Sequence, residues 1–221
     1  MKSSLKATSI IEAMIVLLII VSWITGVYTL LNSSQKLAIT TWNRIEAIQI
    51  ARDWLEAFTN IRDTNWILYS ADYENCWNTL NYDPSCIGDT WSAHRIRGFN
   101  SVGWVNRLAH YIYKNSNNQF ELWNHTMDIA DLNFSDNSFR SNFSVYKDNG
   151  FYTQSWGTIT EPLYTRYLNI QYIDTTGDSL NLSVDDDKME IISVVEWSDP
   201  SSTVPKKVEM RAILTNWKAK K

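Results

Sequence analysis

Glycine and proline are scarce, with 7 and 4 in 221 residues, which leaves no room for a flexible low-complexity linker; there is also no internal repeat. Cysteine is limited to two residues, enough for one covalent staple but not for a disulfide scaffold. The three histidines, His94, His110 and His125, have no ligand spacing, and no metal or cofactor is expected. No H-E-x-x-H, G-x-S-x-G, P-loop or dinucleotide fingerprint is present, so the expectation is that the chain is not an enzyme. A net charge of -4 argues against a general nucleic-acid grip, although a local patch would escape this argument. The most consequential absence is local: no charged residue occurs from Ala13 to Gln35.

That run, as a helix, reaches roughly 34 Å, enough to cross the hydrocarbon core of a bilayer. Lys2 and Lys6 precede it, which predicts a cytoplasmic N-terminus and a soluble part outside, single-pass in the cytoplasmic membrane. A cleaved signal peptide is the rival reading, but its apolar region is typically about 7–15 residues and ends in a small-x-small site. This run is longer and lacks that ending.

Glu12 stands at the mouth of the run. An ionised carboxylate inside a membrane helix costs about 2.5–3.5 kcal/mol on insertion scales, falling toward the interface, so it calls for a partner or a place at headgroup level. As a helix-start acid it is favoured by the helix dipole. The order of the elements supports a more specific reading: a basic leader MKSSLKA, then T-S-I-I-E, then the apolar helix. It resembles the class III leader of type IV pilins and type II secretion pseudopilins. The resemblance implies that a prepilin peptidase cuts between Ala7 and Thr8, making Glu12 the fifth residue of the mature chain, whose new α-amine is then N-methylated. Ala7 stands where Gly is usual and Thr8 where Phe is usual.

From Gln35 to Leu68 no Gly or Pro interrupts a helical pattern. Ala47, Ile48, Ile50, Ala51, Trp54, Leu55, Phe58 and Ile61 fall on one arc, with Glu46, Gln49, Arg52, Asp53, Glu56, Asn60 and Asp63 opposite. Arg44 and Arg62 intrude on the apolar arc, as long side chains do by snorkelling. A membrane helix continued as an amphipathic one is similar to the spine of pilin folds, and IQIARDWLEAFTNIRDTNW is similar to that stretch of pilin-like proteins.

Residues 69–141 read as irregular and aromatic-rich, with Trp77, Trp91, Trp104 and Trp123 spread along them and WVNRLAHYIYK open between strand and short helix. The simple reading of the rings is packing; a sugar or nucleic-acid stacking surface is the alternative, but nothing in the sequence groups them on one face. Cys76 and Cys86 bracket a loop with an Asp83-Pro84 turn signal, and in an exported domain a disulfide between them is the default.

Residues 142–221 read as antiparallel β. FSVYK and FYTQSW flank the turn Asp148-Asn149-Gly150, followed by YTRYLNIQYI, KMEIISVVEW and KKVEMRAILTNW. The last pair resembles the closing hairpin of minor pilins. Asp174, Asp178, Asp185, Asp186 and Asp187 invite a calcium site, with solvated turns as the simpler reading.

The resulting expectation is an α+β chain: leader 1–7, membrane and assembly helix 8–34, amphipathic helix 35–68, disulfide-loop region 69–141 and β region 142–221. The resemblance implies a structural filament subunit, minor or accessory given its large soluble part, whose partners are other pilin or pseudopilin subunits, a prepilin peptidase, an inner-membrane assembly platform and lipid. The alternative is a monomeric, membrane-anchored extracytoplasmic binding module. Glu12 discriminates between them, since a simple anchor has no need of an acid at that depth.

Overall fold

The computed structural model describes residues 10–88, 95–96, 108–148, 151–154, 164–173, 188–199, 202 and 204–216. The chain divides into two units, residues 1–43 and 44–221. A single helix, α1 (Ile10–Leu68), supplies the described residues of the first unit and the opening helix of the second. Its apolar N-terminal portion is taken up with the candidate site below.

In the second unit, α1 lies on an antiparallel sheet, giving the expected α+β arrangement. The sheet consists of β1 (Leu108–Lys114), β2 (Phe120–Asp128), β3 (Ser144–Asp148), β5 (Tyr164–Tyr172), β6 (Lys188–Trp197) and β7 (Lys206–Thr215), with the short β4 (Phe151–Thr153) paired to β3. β5 is its centre: one edge pairs with β6 from Tyr164↔Trp197 to Tyr172↔Met189, and the other meets β3 at Val145↔Tyr164 and β1 at His110↔Leu168. The three C-terminal strands fall in the β-rich runs where the sequence placed them, and β3 and β4 pair across the expected hairpin, whose turn residues 149–150 lie outside the described set.

Period-2 alternation sorts these strands into two faces. Tyr164, Arg166, Leu168, Ile170 and Tyr172 of β5 point to the side of α1, and Met189, Ile191, Val195 and Trp197 of β6 continue that layer. Against them α1 buries Ala47, Ile50, Ala51, Trp54, Phe58 and Ile61, the stripe expected from the helical period. Ile48 is a correction: it is exposed, because it lies about 100° of helical rotation from the centre of the buried arc. On the opposite sheet face, α3 (Asn137–Phe143) sets Phe139 and Phe143 edge-on against Tyr167. Beyond α3 that face carries charges, with Lys207–Glu209 at 2.8 Å, Arg211–Glu209 at 3.4 Å and Arg211–Glu190 at 3.5 Å.

Residues 69–141 are more regular than their sequence suggested. They contribute β1 and β2, which resolves LAHYIYK as strand. The alternation there is obscured because both faces of β1 are packed, with Ala109, His110, Tyr111 and Ile112 all buried. Before β1, α2 (Tyr73–Cys76) and two 3-10 turns, Leu80–Tyr82 and Pro84–Cys86, form the disulfide loop. Cys76 and Cys86 are bonded to each other and buried. The loop is tied to α1 by the buried Asn65, whose Nδ2 donates to the carbonyls of Thr79 (3.0 Å) and Trp77 (3.4 Å). It also covers the β2 edge, where the Leu122 amide donates to Asn81 Oδ1 at 2.9 Å. An edge strand left bare would be open to pairing with another chain.

Candidate membrane and assembly segment

Between Ile10 and Leu31 every large apolar side chain is exposed, at 47–80% of its full area, and this portion of α1 is long and apolar enough to cross a membrane. Single exposed apolar residues are ordinary on soluble surfaces, whereas a continuous sheath of them marks a surface meant for lipid or for protein. A bilayer also requires that polar groups be satisfied internally, and four hydroxyls of this stretch are. Ser22 Oγ donates to the Leu18 carbonyl at 2.8 Å, Thr25 Oγ1 to those of Val21 (3.0 Å) and Ser22 (2.9 Å), Thr29 Oγ1 to Gly26 (2.8 Å) and Ser33 Oγ to Thr29 (2.9 Å). The hydroxyls of Ser22, Thr25, Thr29 and Ser33 are thus bonded to their own helix.

Glu12 lies in the first described turn of α1. Ala7 and Thr8, the expected processing pair, lie outside the described residues. So do His94, Trp91, Trp104 and the five aspartates from Asp174 to Asp187. His110 is buried in β1. Among the described residues, no group of three or more His, Cys, Asp or Glu side chains is placed to hold a metal ion.

Where α1 meets the sheet, the structure brings together residues that sequence reasoning did not single out. Glu46, placed on the water-facing side by the helical pattern, accepts hydrogen bonds from the Tyr152 and Tyr164 hydroxyls. Burial and the facing carboxylate push both phenols well above their ordinary pKa. One turn on, the fully buried Arg166 donates from Nη1 to the Ile50 carbonyl at 3.0 Å and lies over the Trp54 ring, 3.9 Å from its centroid. Burial lowers its pKa to about 9, opposed by the Asp53 carboxylate. The signal for Arg166 was present: in Tyr-Thr-Arg-Tyr-Leu-Asn-Ile it shares parity with Tyr164, Leu168 and Ile170, an inward position. Arg62 has a similar arrangement, 4.5 Å over Trp66 and paired with Asp63 at 2.8 Å, which accounts for its place on the apolar arc.

Comparison with protein-family models, curated proteins and solved structures finds no match to this chain.

Proposed function

We propose that the chain is a structural subunit of a type IV pilus or type II secretion-like filament, inserted in the cytoplasmic membrane and polymerised through the N-terminal portion of α1 after prepilin peptidase cleavage. The observation that carries this reading is Glu12 in the first turn of α1, heading a charge-free run to Gln35 whose apolar side chains are exposed throughout. Such a surface is suited first to lipid and then to the same segment of neighbouring subunits, which have equivalent apolar sheaths. Cutting before Thr8 creates an α-amine within about one helical turn of Glu12. In a packed bundle the amine of one subunit neutralises the carboxylate of the next, and a buried charge is tolerated when it is paired and hydrogen-bonded. Glu12 then sets the axial register of assembly. The internally bonded hydroxyls of Ser22, Thr25, Thr29 and Ser33 suit the same segment to a low-dielectric setting.

In this reading the peptidase acts on the cytoplasmic face, an inner-membrane assembly platform lifts the processed subunit, and the β-sheet unit is presented outside. Intact-mass spectrometry of the membrane-extracted protein tests it. The expected species lacks residues 1–7 and carries one methyl group on Thr8. A chain beginning at Met1, or one beginning near Ser33, overturns it.

A further inference from the structure

The β1–β2 hairpin groups aromatic residues that the sequence leaves scattered. Tyr111 and Trp123 are directly cross-strand partners, with ring centroids 6.4 Å apart and planes inclined by 25°. Tyr113 meets the same indole edge-on at 6.3 Å. Tyr111 is buried, whereas Trp123 keeps 50% of its surface in solvent. An exposed indole braced on two sides is a fixed platform, since its side-chain entropy is largely spent in folding.

Beside the indole, on the same face of β2, stands Glu121, opposite Tyr113 in the register. Its Oε2 accepts from the Tyr113 hydroxyl and its Oε1 accepts from Asn115 Nδ2 at 2.6 Å. Burial and that hydrogen bond push the Tyr113 phenol up to about 12, so it remains a donor at neutral pH. Asn115 is itself fixed, its Oδ1 accepting from the amides of Asn117 (2.9 Å) and Gln119 (3.0 Å) across the turn. A carboxylate offers about four lone-pair sites, so two such donors orient Glu121 while leaving acceptor capacity for a ligand.

We propose that this hairpin is a carbohydrate-binding site in which Trp123 stacks on the C–H face of a neutral pyranose ring while Glu121, oriented by Tyr113 and Asn115, accepts hydrogen bonds from adjacent ring hydroxyls. A half-exposed flat indole suits the apolar face of a sugar, and a carboxylate acceptor suits its vicinal hydroxyls. A nucleic acid would also stack on the indole, but its phosphates would meet the Glu121 charge. The site belongs to the sheet-bearing unit and works equally on a filament subunit or on an anchored monomer.

The test is saturation-transfer NMR on the full-length protein in a detergent without a sugar headgroup, with chitotriose, cellotriose and maltotriose as probes and oligothymidylate as competitor. At least one trisaccharide should receive saturation at its ring protons and resist displacement by the oligonucleotide. Trp123→Ala should abolish the transfer. Trp123→Phe, which keeps a ring, should retain it, and Glu121→Gln should weaken affinity by about tenfold. Both milder variants change a partly exposed position conservatively, so they report on the site even if the alanine variant misfolds. Transfer to none of the three sugars, transfer unchanged in all three variants, or displacement by oligothymidylate overturns the proposal.

Discussion

The two portions of α1 use apolar side chains in opposite ways. From Ile10 to Leu31 the apolar residues cover the whole circumference and none of the large ones is buried. From Ala47 to Ile61 they are confined to a stripe, and the stripe is buried against the sheet. A helix apolar all round needs a surrounding apolar medium, whereas a striped one needs a single packed partner. The contrast extends to polar groups. In the N-terminal portion Ser22 and Thr25 turn back on their own helix; at the two ends of the buried stripe Glu46 and Asn65 reach across to the sheet and its loops.

The comparison breaks most decisively at Glu12. Glu12→Gln keeps shape and hydrogen bonding but removes charge, and Glu12→Ala removes both. Both variants should insert into membranes at least as well as the wild type, because an acid leaves the apolar segment. Both should lose filament incorporation, scored by co-purification with sheared filaments, because an unmatched buried α-amine costs several kcal/mol. Incorporation at the wild-type level in both would leave Glu12 as an ordinary helix-start residue and would favour the anchored binding module.

Paired truncations sharpen the contrast between packing regimes. Phe58→Ala, at a fully buried position, should destabilise the sheet-bearing unit by about 3–5 kcal/mol in denaturant titrations. Leu17→Ala, exposed in the other portion, should leave the same transition within about 0.5 kcal/mol. Equal effects would mean that the N-terminal portion packs on something within the monomer.

A smaller effect belongs to the staple. Reducing the Cys76–Cys86 bond, ten residues apart in sequence, releases a short loop and should cost about 2–3 kcal/mol. Thiol labelling of the native, non-reduced protein should find neither cysteine. Accessible thiols would contradict the pairing.

The smallest effect is titration at the helix–sheet contact. Tyr152 and Tyr164 have pKa values raised in the folded state, so the stability they contribute is complete below the unfolded phenol value of 10.0 and is lost as pH climbs through their folded values. Arg166 has the opposite sign: its folded pKa of about 9 lies below the unfolded 12.5, so its burial penalty eases between those values. Alkaline melting should show stability falling above about pH 10. The fall should become shallower in Tyr164→Phe and steeper in Arg166→Met, which removes the compensating titration. An unchanged slope in both variants would dissociate these groups from the alkaline transition.

By itself the sequence determined the features that are written locally along consecutive residues. The charge-free run, the stripe from Ala47 to Ile61 and the β-rich runs of β5, β6 and β7 each extend over many residues, so each is specified redundantly and survives single exceptions such as Ile48. The cysteine pair was legible because two cysteines closing a short loop leave one partner choice. The tertiary structure alone decided whatever depends on contacts between distant segments. It made β1 and β2 strands of the central sheet, although packing on both faces of β1 had erased the alternation. It turned Glu46, water-facing by helical phase, into the acceptor for two phenols more than a hundred residues away. It grouped Trp123, Tyr111 and Tyr113 on one hairpin face, because cross-strand register sets which rings meet, and register is fixed by the turn and the neighbouring strands rather than by local spacing.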